Sequence, residues 1–374
     1  YDPVPTRKQN VMNRMTDASV LYVDPPVTLL APFKDPGARE RLHAHLKGGV
    51  FRKDHLKVYA SPPVLPFYNR IRSLNRRNQK NLAAYLKRIL DENDFGTDFY
   101  LWCYSPSSAD LIAPLSSALG MDEEALWRRT VYDCVDRHSA YPGQIDPRVV
   151  DGMEEDLVRK AGTVFTTAQG LFDRLSVWNP RTFLIPNGVD YPLFSSVAEL
   201  VPGAGSPLTF GFVGMLQECI DYECIRAVSK GFPEGRVVLV GRALPGVDLS
   251  WLEDHPNIVF HGLVPQQELP NILGGFHVCL NVFAPGKLSE DVSPLKFYEY
   301  LATGKPVVST PVPLQVRDYA DCIYLAENTE EFVEKCREAA GEAPGDPRSK
   351  ERMRRARACS WEERILAMRG VLGW

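Results

Sequence analysis

The chain has 374 residues, of which 44% are hydrophobic, and its formal net charge at pH 7 is −4. A chain of this length exceeds what one hydrophobic core usually supports, so we expect two domains. Because the net charge is small and aromatic residues are not interleaved with basic runs, we expect no nucleic-acid partner. No apolar run approaches the ~20 residues that a membrane-spanning helix needs, so we expect no membrane span.

Short apolar runs predict buried strands in the first half of the chain. They occur at 20–23, 99–103, 130–134, 163–166 and 183–185. Helical or loop segments separate them, and alternation of this kind is typical of βαβ units with a parallel sheet. We therefore predict an α/β domain here.

The segment between His55 and Leu90 contains eight Lys or Arg residues and no Asp or Glu. Apolar residues at helical spacing, among them Leu82 and Ile89, predict an amphipathic helix in part of it. One interpretation is an ordinary helix with a solvated basic face. The alternative is that the basic segment 57–88 contacts an anionic membrane surface or a lipid-diphosphate acceptor, each basic residue contributing about 1 kcal/mol.

The predicted strand at 130–134 leads directly into ionisable residues. Asp133 lies near its end, and Asp136 and His138 follow it. A carboxylate at the carboxyl end of such a strand can receive the proton of an acceptor hydroxyl. We predict Asp136 as this catalytic group. Asp133 is a second candidate or a buried structural carboxylate, and His138 is an orienting partner or the acid–base group itself.

A segment rich in Ser, Pro and Gly at 195–207 predicts an interdomain connection, and a second set of strands follows it. These strands are predicted at 209–213, 237–240, 259–260, 278–281, 307–309 and 323–325. Gly214, Arg242 and Val264 lie in the segments that follow three of them. Backbone amides and an arginine at such strand ends can hold a nucleotide base or a phosphate.

The run 293–310 predicts a helix, its end and a buried strand. Ser293 can cap free amides, and Pro294 suits the first helical position. Gly304 can adopt the left-handed conformation that ends a helix, which makes the helix about three turns long. Leu295 is placed on its core-facing side by the helical spacing of the apolar residues.

Lys296 and Glu299 lie three residues apart on a neighbouring face of this helix. A lysine in the first turn is unfavourable by roughly 0.3–1 kcal/mol at the positive end of the helix dipole unless an anion neutralises it. Free amides, the dipole and the ammonium group together predict a diphosphate site, and Glu299 can accept hydrogen bonds from a ribose diol. The alternative is that the two side chains merely pair on a solvated face.

The segment 291–310 resembles the donor-site signature of GT-B glycosyltransferases, especially the large family four. That signature has an acidic residue, seven residues and a Glu before a Gly-x-Pro-Val-Val strand. Asp291 and Glu299 have this spacing, with Asp where the family usually has Glu. Residues 184–190 and 211–214 are similar to the end of the family's first domain and to the first strand and glycine turn of its donor domain.

The resemblance implies an α/β fold of two Rossmann-like domains whose parallel sheets face a cleft. We expect an N-terminal Rossmann-like acceptor domain at 1–194, an interdomain linker at 195–207 and a C-terminal nucleotide-sugar donor domain at 208–355. Residues 356–374 are expected to form a C-terminal helix that packs back on the N-terminal domain. Because these folds normally begin with a strand, the resemblance also implies that an N-terminal strand has been trimmed.

The resemblance further implies a glycosyltransferase that moves a sugar from a nucleotide-sugar to a hydroxyl of a glycan or lipid-linked acceptor in polysaccharide or glycoconjugate biosynthesis. It favours UDP-sugar over GDP-sugar and retention over inversion. With the positions argued above, the expected donor-binding residues are Gly214, Arg242, Val264, Asp291, Ser293, Pro294, Leu295, Lys296 and Glu299. Two alternatives stay open, a GT-B sugar-nucleotide epimerase and a catalytically inactive nucleotide-sugar-binding homologue.

The sequence contains no Asp-x-Asp motif of the kind that holds a divalent metal against a diphosphate. We expect helix amides and Lys296 to replace the metal, with a nucleotide-sugar co-substrate and no other cofactor. His43 and His45 have metal-ligand spacing but no evident third ligand. Eight scattered cysteines predict reduced, buried thiols in a cytoplasmic protein, which the basic segment would place peripherally on the inner face of the membrane.

Overall fold

The structure is a computed structural model that describes residues 5–33, 38–141, 143–198, 200, 202–203 and 205–374, without the side chains of residues 287 and 288. The chain divides into two units. Unit 1 is Gln9–Ile185, and unit 2 is Pro186–Trp374 together with residues 5–8. The predicted linker at 195–207 includes positions 199, 201 and 204, which lie outside the described residues. The predicted domain limits stay predictions.

The strands of the described chain are numbered in order. They are β1 (Val20–Val23), β2 (Val50–Lys53), β3 (Leu56–Tyr59), β4 (Leu101–Cys103), β5 (Thr130–Cys134), β6 (Thr163–Thr166), β7 (Thr182–Leu184), β8 (Thr209–Val213), β9 (Arg236–Val240), β10 (Ile258–Gly262), β11 (Val278–Asn281), β12 (Val307–Ser309) and β13 (Tyr324–Leu325). The predicted strand positions are confirmed, with shifts of one or two residues at some ends.

The α-helices are numbered in the same way. They are α1 (Arg7–Arg14), α2 (Ala38–Ala44), α3 (Arg72–Glu92), α4 (Ile112–Leu119), α5 (Glu123–Arg128), α6 (Pro147–Lys160), α7 (Gln169–Ser176), α8 (Tyr191–Ser195), α9 (Tyr222–Gly231), α10 (Leu269–Gly274), α11 (Lys287–Glu290), α12 (Leu295–Ala302), α13 (Thr329–Ala340), α14 (Pro347–Ala358) and α15 (Trp361–Leu372). The amphipathic helix predicted within the basic segment is α3, which continues to Glu92.

Unit 1 contains a four-stranded parallel sheet in the order β4-β5-β6-β7 and a three-stranded sheet in the order β1-β3-β2. The parallel sheet was predicted, but β2 and β3 were not. Only two residues separate these strands, so they pair antiparallel as a hairpin. All four residues of β2 are exposed, so this strand lacks the apolar burial pattern by which a strand is recognised in sequence.

Unit 2 contains a six-stranded parallel sheet in the order β10-β9-β8-β11-β12-β13. Its inner strands β8, β11 and β12 are apolar on both faces, as expected for a parallel sheet covered on both sides, whereas the edge strand β10 is largely exposed. Phe212 and Leu239 belong to one hydrophobic cluster, whereas Val213 and Val238 belong to another. Each cluster therefore covers one face of the sheet, and the loops at the carboxyl ends of the strands share one edge.

A buried ion pair lies at the C-terminal end of α12. Arg352, on α14, has a fully buried side chain, and the Glu342 carboxylate that it contacts is 3% exposed. The Arg352 Nε and Nη2 atoms donate to the carbonyl of Gly304 at 3.1 and 2.8 Å, and Nη1 donates to the carbonyl of Cys322 at 2.7 Å. One guanidinium group thus fixes the segment after α12, the start of β13 and α14.

Helix α15 begins at a serine cap. The Ser360 hydroxyl accepts a hydrogen bond from the Glu363 amide at 3.3 Å. Trp361, Ile365 and Met368 are buried, and the Trp361 amide donates to the carbonyl of Val189 at 3.0 Å. The start of this helix is therefore joined to the segment that follows β7.

All eight cysteines are buried free thiols, as predicted. Among the described residues, no helix combines the length and the apolar character needed to cross a bilayer. Within the same residues, no group of three or more His, Cys, Asp or Glu side chains could hold a metal ion.

Candidate donor-binding site

Three of the predicted positions lie side by side at the carboxyl edge of the sheet in unit 2. Gly214 follows β8, and its amide donates to the carbonyl of Val240 at 2.9 Å. Gly241 follows β9, and its amide donates to the carbonyl of Gly262 at 2.8 Å. The loops that carry Gly214, Arg242 and Val264 are therefore neighbours, as the parallel topology requires.

Glycine is required where the first two of these loops meet. Gly241 has a φ of +145°, a conformation that L side chains rarely adopt. A Cβ atom built on it would lie 1.8 Å from the carbonyl oxygen of Gly214. The two backbones can approach so closely only because Gly241 carries no side chain.

Helix α12 begins at this edge without a side-chain cap. Pro294 was predicted to be the first helical residue, but it occupies the cap position before the helix. Its side chain has no acceptor for the first-turn amides. Ser293 was predicted to cap the helix, but its hydroxyl accepts the backbone amide of Asn187 at 3.0 Å instead. The side-chain amide of Asn187 also donates to the Ser293 carbonyl at 2.6 Å. The amino end of α12 is thus positioned by a distant segment.

Helix α12 is shorter and more buried than predicted. It has eight residues, about two turns, because Thr303 and Gly304 leave the helix, and Gly304 adopts the predicted left-handed conformation with a φ of +69°. Leu295 is only partly buried, whereas the remaining helical residues from Phe297 onward are buried. Because most of this helix is buried, only a small part of it can contact a ligand, and its partly buried amino end belongs to that part.

Lys296 and Glu299 pair with each other, but not on a solvated face. The Lys296 Nζ atom lies 2.8 Å from Glu299 Oε2 and donates to Oε1 at 3.0 Å. The Glu299 side chain is 4% exposed and that of Lys296 is 22% exposed. Burial raises the pKa of Glu299, while Lys296 opposes this shift. The pair therefore contains a buried carboxylate whose cation reaches solvent.

Two contacts join this pair to the carboxyl edge of the sheet. The hydroxyl of Tyr300, on α12, accepts the backbone amide of Val213 at 2.7 Å, directly before Gly214. The Gln266 side chain, in the loop after β10, donates to Glu299 Oε1 at 3.5 Å. Val264, in the same loop, packs against the cluster that contains the aromatic residues of α12. The structure thus brings the start of α12 together with the loops after β8 and β10.

The second half of the chain matches a known protein family. Residues 222–368 match the family model described as "Glycosyl transferase-like". Over 256 residues the chain is 23% identical to TuaH of Bacillus subtilis (strain 168), which is named as a glycosyltransferase of teichuronic acid biosynthesis. This match covers 63% of the present chain and 64% of TuaH, so it spans less than two thirds of that relative's length.

Solved glycosyltransferase structures share the fold of almost the whole chain. Anabaena HepE in complex with UDP has a TM-score of 0.63 at 12% identity, covering 95% of this chain and 99% of HepE. The apo structure of OtsA has a TM-score of 0.65 at 11% identity, covering 99% and 96%. The sucrose-phosphate synthase of Thermosynechococcus elongatus has a TM-score of 0.62 at 13% identity, covering 95% and 98%.

The chain has the GT-B fold of these structures, and its residues 222–368 match the glycosyl transferase-like family. The predicted α/β fold class is confirmed. In this GT-B protein the matched family segment contains β9 to β13 and α12, and hence the Lys296–Glu299 pair, whereas Gly214 lies just before it.

The remaining predicted donor-site residues differ in exposure. Arg242 is exposed at the end of β9, and Asp291 is partly buried directly after α11. Met215, which follows Gly214, is 40% exposed. In this GT-B protein the ion pair on α12 is a charged group held at the carboxyl edge by contacts within unit 2.

The predicted catalytic residues lie in unit 1, at and after the end of β5. Asp133 is fully buried and accepts a hydrogen bond from the indole of Trp102 at 3.4 Å, which suits a structural carboxylate. Asp136 is partly buried, and the hydroxyl of Tyr141 donates to its Oδ2 atom at 2.5 Å. The ring of His138 meets that of Tyr141 edge-on at 5.8 Å. Asp136 and His138 thus share Tyr141 as a neighbour.

Sequence reasoning missed Asn187, Gln266 and Tyr300, which hold the start of α12 in place. The buried Oδ1 atom of Asn187 has no hydrogen-bond partner among the described residues. The Pro-Asn-Gly turn at 186–188 signals a special backbone but not a contact with Ser293. Gln266 and Tyr300 carry no sequence signal of their own.

The raised pKa of Glu299 predicts a pH-dependent cost to the folded state. A carboxyl whose pKa is raised by folding favours the folded state in its neutral form, so stability is lost as pH rises from the usual value of 4.5 through the folded pKa. We expect Glu299→Gln to remove this loss. Chemical unfolding of both proteins across this pH range should show the variant gaining stability relative to wild type as pH rises. A difference that does not change with pH would contradict the burial argument.

Proposed function

We propose that this protein transfers a sugar from a nucleoside diphosphate donor to a hydroxyl group of a glycan or lipid-linked acceptor. The observation that carries the proposal is the amino end of α12, which has no side-chain cap and presents Lys296 at the carboxyl edge of a parallel sheet. Uncapped first-turn amides, the positive end of the helix dipole and an ammonium group form a site for a diphosphate.

The Lys296–Glu299 pair is suited to open when a donor binds. Its cation is partly exposed and can move from the carboxylate to a phosphate oxygen, where the helix dipole also favours negative charge. Glu299 is then available to accept hydrogen bonds from two vicinal ribose hydroxyls, as carboxylates do. The electrostatic cost of placing a lysine in the first turn is thereby offset in the donor complex.

We propose a UDP-sugar as the donor, with a GDP-sugar as the second choice, and a role in polysaccharide or glycoconjugate biosynthesis. HepE, a structural neighbour of this chain, binds UDP, and the relative TuaH is named for teichuronic acid biosynthesis. These names support the donor class and the biosynthetic setting. The spacing of Asp291 and Glu299 supports the finer assignment to family four and a retaining reaction.

For the chemical step, we propose Asp136 as the first-domain group that faces the acceptor hydroxyl. In an inverting reaction its carboxylate would take the proton of that hydroxyl while the oxygen attacks the anomeric carbon and the nucleotide leaves. In a retaining reaction a donor phosphate oxygen would take the proton, and Asp136 would position the acceptor. His138 and Asp133 are the further candidates.

The deciding experiment measures nucleotide release from UDP-sugars with and without a panel of glycan and lipid-linked acceptors. We expect release that depends on acceptor, and we expect Asp136→Asn to lower kcat while donor binding stays intact. Turnover of the donor without any acceptor would instead indicate an epimerase. Donor binding without turnover under any condition would indicate an inactive homologue.

We propose that the transfer does not need a divalent metal, because Lys296 and the helix amides neutralise the leaving diphosphate. Excess chelator should leave acceptor-dependent release largely unchanged, and added Mg²⁺ or Mn²⁺ should restore nothing. The control is the same assay on enzyme that was never exposed to chelator. Complete loss of release in chelator, recovered by one metal, would overturn this part of the proposal.

We also propose that the basic segment 57–88 contacts an anionic membrane surface. Several of its cations are paired in the structure, such as Lys87 with Asp91 and Arg88 with Glu92, but Arg77 and Lys80 are exposed on α3. We expect the protein to float with vesicles of anionic lipid at low salt and to be released by high salt. The replacement of Arg77 by Glu should weaken flotation. No flotation at low salt would remove the membrane proposal.

A further inference from the structure

A cavity of about 500 Å³ in unit 1 contains none of the residues assigned above to the donor or to catalysis. It lies among α3, α4, α5, α6 and the turn before α4. Arg72, Arg76 and Lys80 recur every four residues and therefore follow one face of α3. Asp156 and Lys160 stand at the same spacing on α6. The cavity thus joins the charged faces of two helices.

The carboxylates that line this cavity are already engaged. Asp110 has an 8% exposed side chain and lies 3.0 Å from Arg72 Nη2, and it also accepts the Asn75 amide at 2.9 Å. Asp156 lies 2.6 Å from Arg72 Nη1. A single guanidinium group therefore bridges two carboxylates and balances one of their two negative charges.

The third carboxylate is engaged by a neutral donor. Glu123 accepts the indole N–H of the buried Trp127 at 3.1 Å. The ammonium group of Lys160 lies 5.5 Å from the centre of the same ring, at cation–π distance. Trp127 thus holds one acidic and one basic group at the same wall.

Three cations of the cavity remain available. Arg76 is 67% exposed and reaches Asp110 only at 3.7 Å. Lys80 and Lys160 are exposed, and neither makes an ion pair with any residue that the structure describes. In an ordinary salt-bridge network on a solvated surface, we would expect each of these cations to be paired with a carboxylate. Instead, Arg72 is held by two carboxylates, whereas Lys80 and Lys160 have no carboxylate partner among the described residues.

We propose that this cavity binds an organic anion that carries a phosphate group. Arg76, Lys80 and Lys160 would hold the phosphate by charge-assisted hydrogen bonds. Ala113 and Pro114 supply an apolar wall for the carbon part of the ligand. A soluble phosphate ester and the headgroup of a phospholipid share this chemistry. The inference stands independently of the proposed transfer reaction.

The test is calorimetric titration of the full chain with glycerol 3-phosphate at low ionic strength. We expect saturable binding that the double variant Lys80→Ala/Lys160→Ala weakens about tenfold or more. The matched control is Lys87→Ala, on the same helix but outside the cavity. Lys296→Ala should leave the affinity unchanged, because that residue belongs to the donor site. Absence of saturable binding, or equal affinity in the double variant, would overturn the proposal.

A second variant is expected to strengthen binding, and a gain in affinity cannot be explained by loss of folding. Glu123→Gln keeps an oxygen that can accept the Trp127 indole but removes a negative charge from the wall. We expect it to tighten glycerol 3-phosphate binding roughly twofold to fivefold, and weaker binding in this variant would contradict the proposed site.

Vesicles of phosphatidylcholine with and without phosphatidic acid then distinguish the two sources of phosphate. If the ligand is a lipid headgroup, the double variant loses flotation with phosphatidic acid. If it is a soluble ester, flotation is the same in wild type and double variant while the calorimetric difference persists.

Discussion

The Lys296→Ala variant is expected to lose about 100-fold in kcat/KM for the nucleotide-sugar, which corresponds to roughly 2.7 kcal/mol. The reason is that the lysine is the cation placed at the uncapped start of α12, within 3.0 Å of Glu299. Without it, the diphosphate keeps only backbone amides and the dipole. The measurement is steady-state kinetics with donor varied at saturating acceptor, together with calorimetric binding of UDP.

This variant also leaves the buried Glu299 carboxylate without its cation, so lost folding has to be separated from lost binding. The double variant Lys296→Ala/Glu299→Gln removes the unpaired charge and should regain stability without regaining donor affinity. Lys335→Ala is the matched control, because Lys335 pairs with Glu338 at the same three-residue spacing on α13, where the Glu338 side chain is 48% exposed. Unchanged donor kinetics in Lys296→Ala would show that the diphosphate lies elsewhere.

The Arg352→Ala variant is expected to lower the free energy of unfolding by about 3–5 kcal/mol, the usual cost of removing one partner of a buried ion pair. It leaves the Glu342 carboxylate, 3% exposed, without its charge partner, and it leaves the Gly304 and Cys322 carbonyls without their donors. Chemical denaturation of the wild type and the variant, monitored by tryptophan fluorescence, measures the difference.

The control for this prediction is Arg354→Ala on the same helix. Arg354 is 68% exposed and pairs with Glu351 at 2.7 Å, and such exposed pairs contribute about 0–1 kcal/mol. Arg352→Ala/Glu342→Gln removes the uncompensated charge and should recover part of the loss. A cost for Arg352→Ala no larger than that for Arg354→Ala would contradict the burial argument.

The sequence predicted the parallel strands because each is a short, nearly continuous apolar run with turn residues on both sides. The run that became β12, between Pro306 and Pro311, is an example. The hairpin of β2 and β3 escaped prediction because an exposed edge strand such as Val50–Lys53 has no buried face to impose a pattern. The pairing of that strand depends on its partner rather than on its own residues.

The candidate site also combines features that local sequence predicts with features that depend on distant residues. Lys296 and Glu299 were singled out from their spacing and from the order of capping residues around them, which are local properties. The burial of Glu299 was not foreseen, because it depends on neighbours that are remote in the chain, such as Gln266, which precedes it by 33 residues and contacts its carboxylate. The cap at Ser293 was predicted wrongly because Asn187, 106 residues away, takes the serine hydroxyl. A local pattern cannot show that a distant donor competes for the same acceptor.

The sequence by itself determined the α/β class, the positions of the parallel strands and the approximate position of α12, since backbone preferences and apolar periodicity act over a few residues. Only the tertiary structure decided which charges are buried, which are paired and which stay open, as Glu299, Arg352 and Lys80 respectively illustrate. The reason is that desolvation and ion pairing depend on neighbours brought together by folding, and these neighbours are remote in the chain.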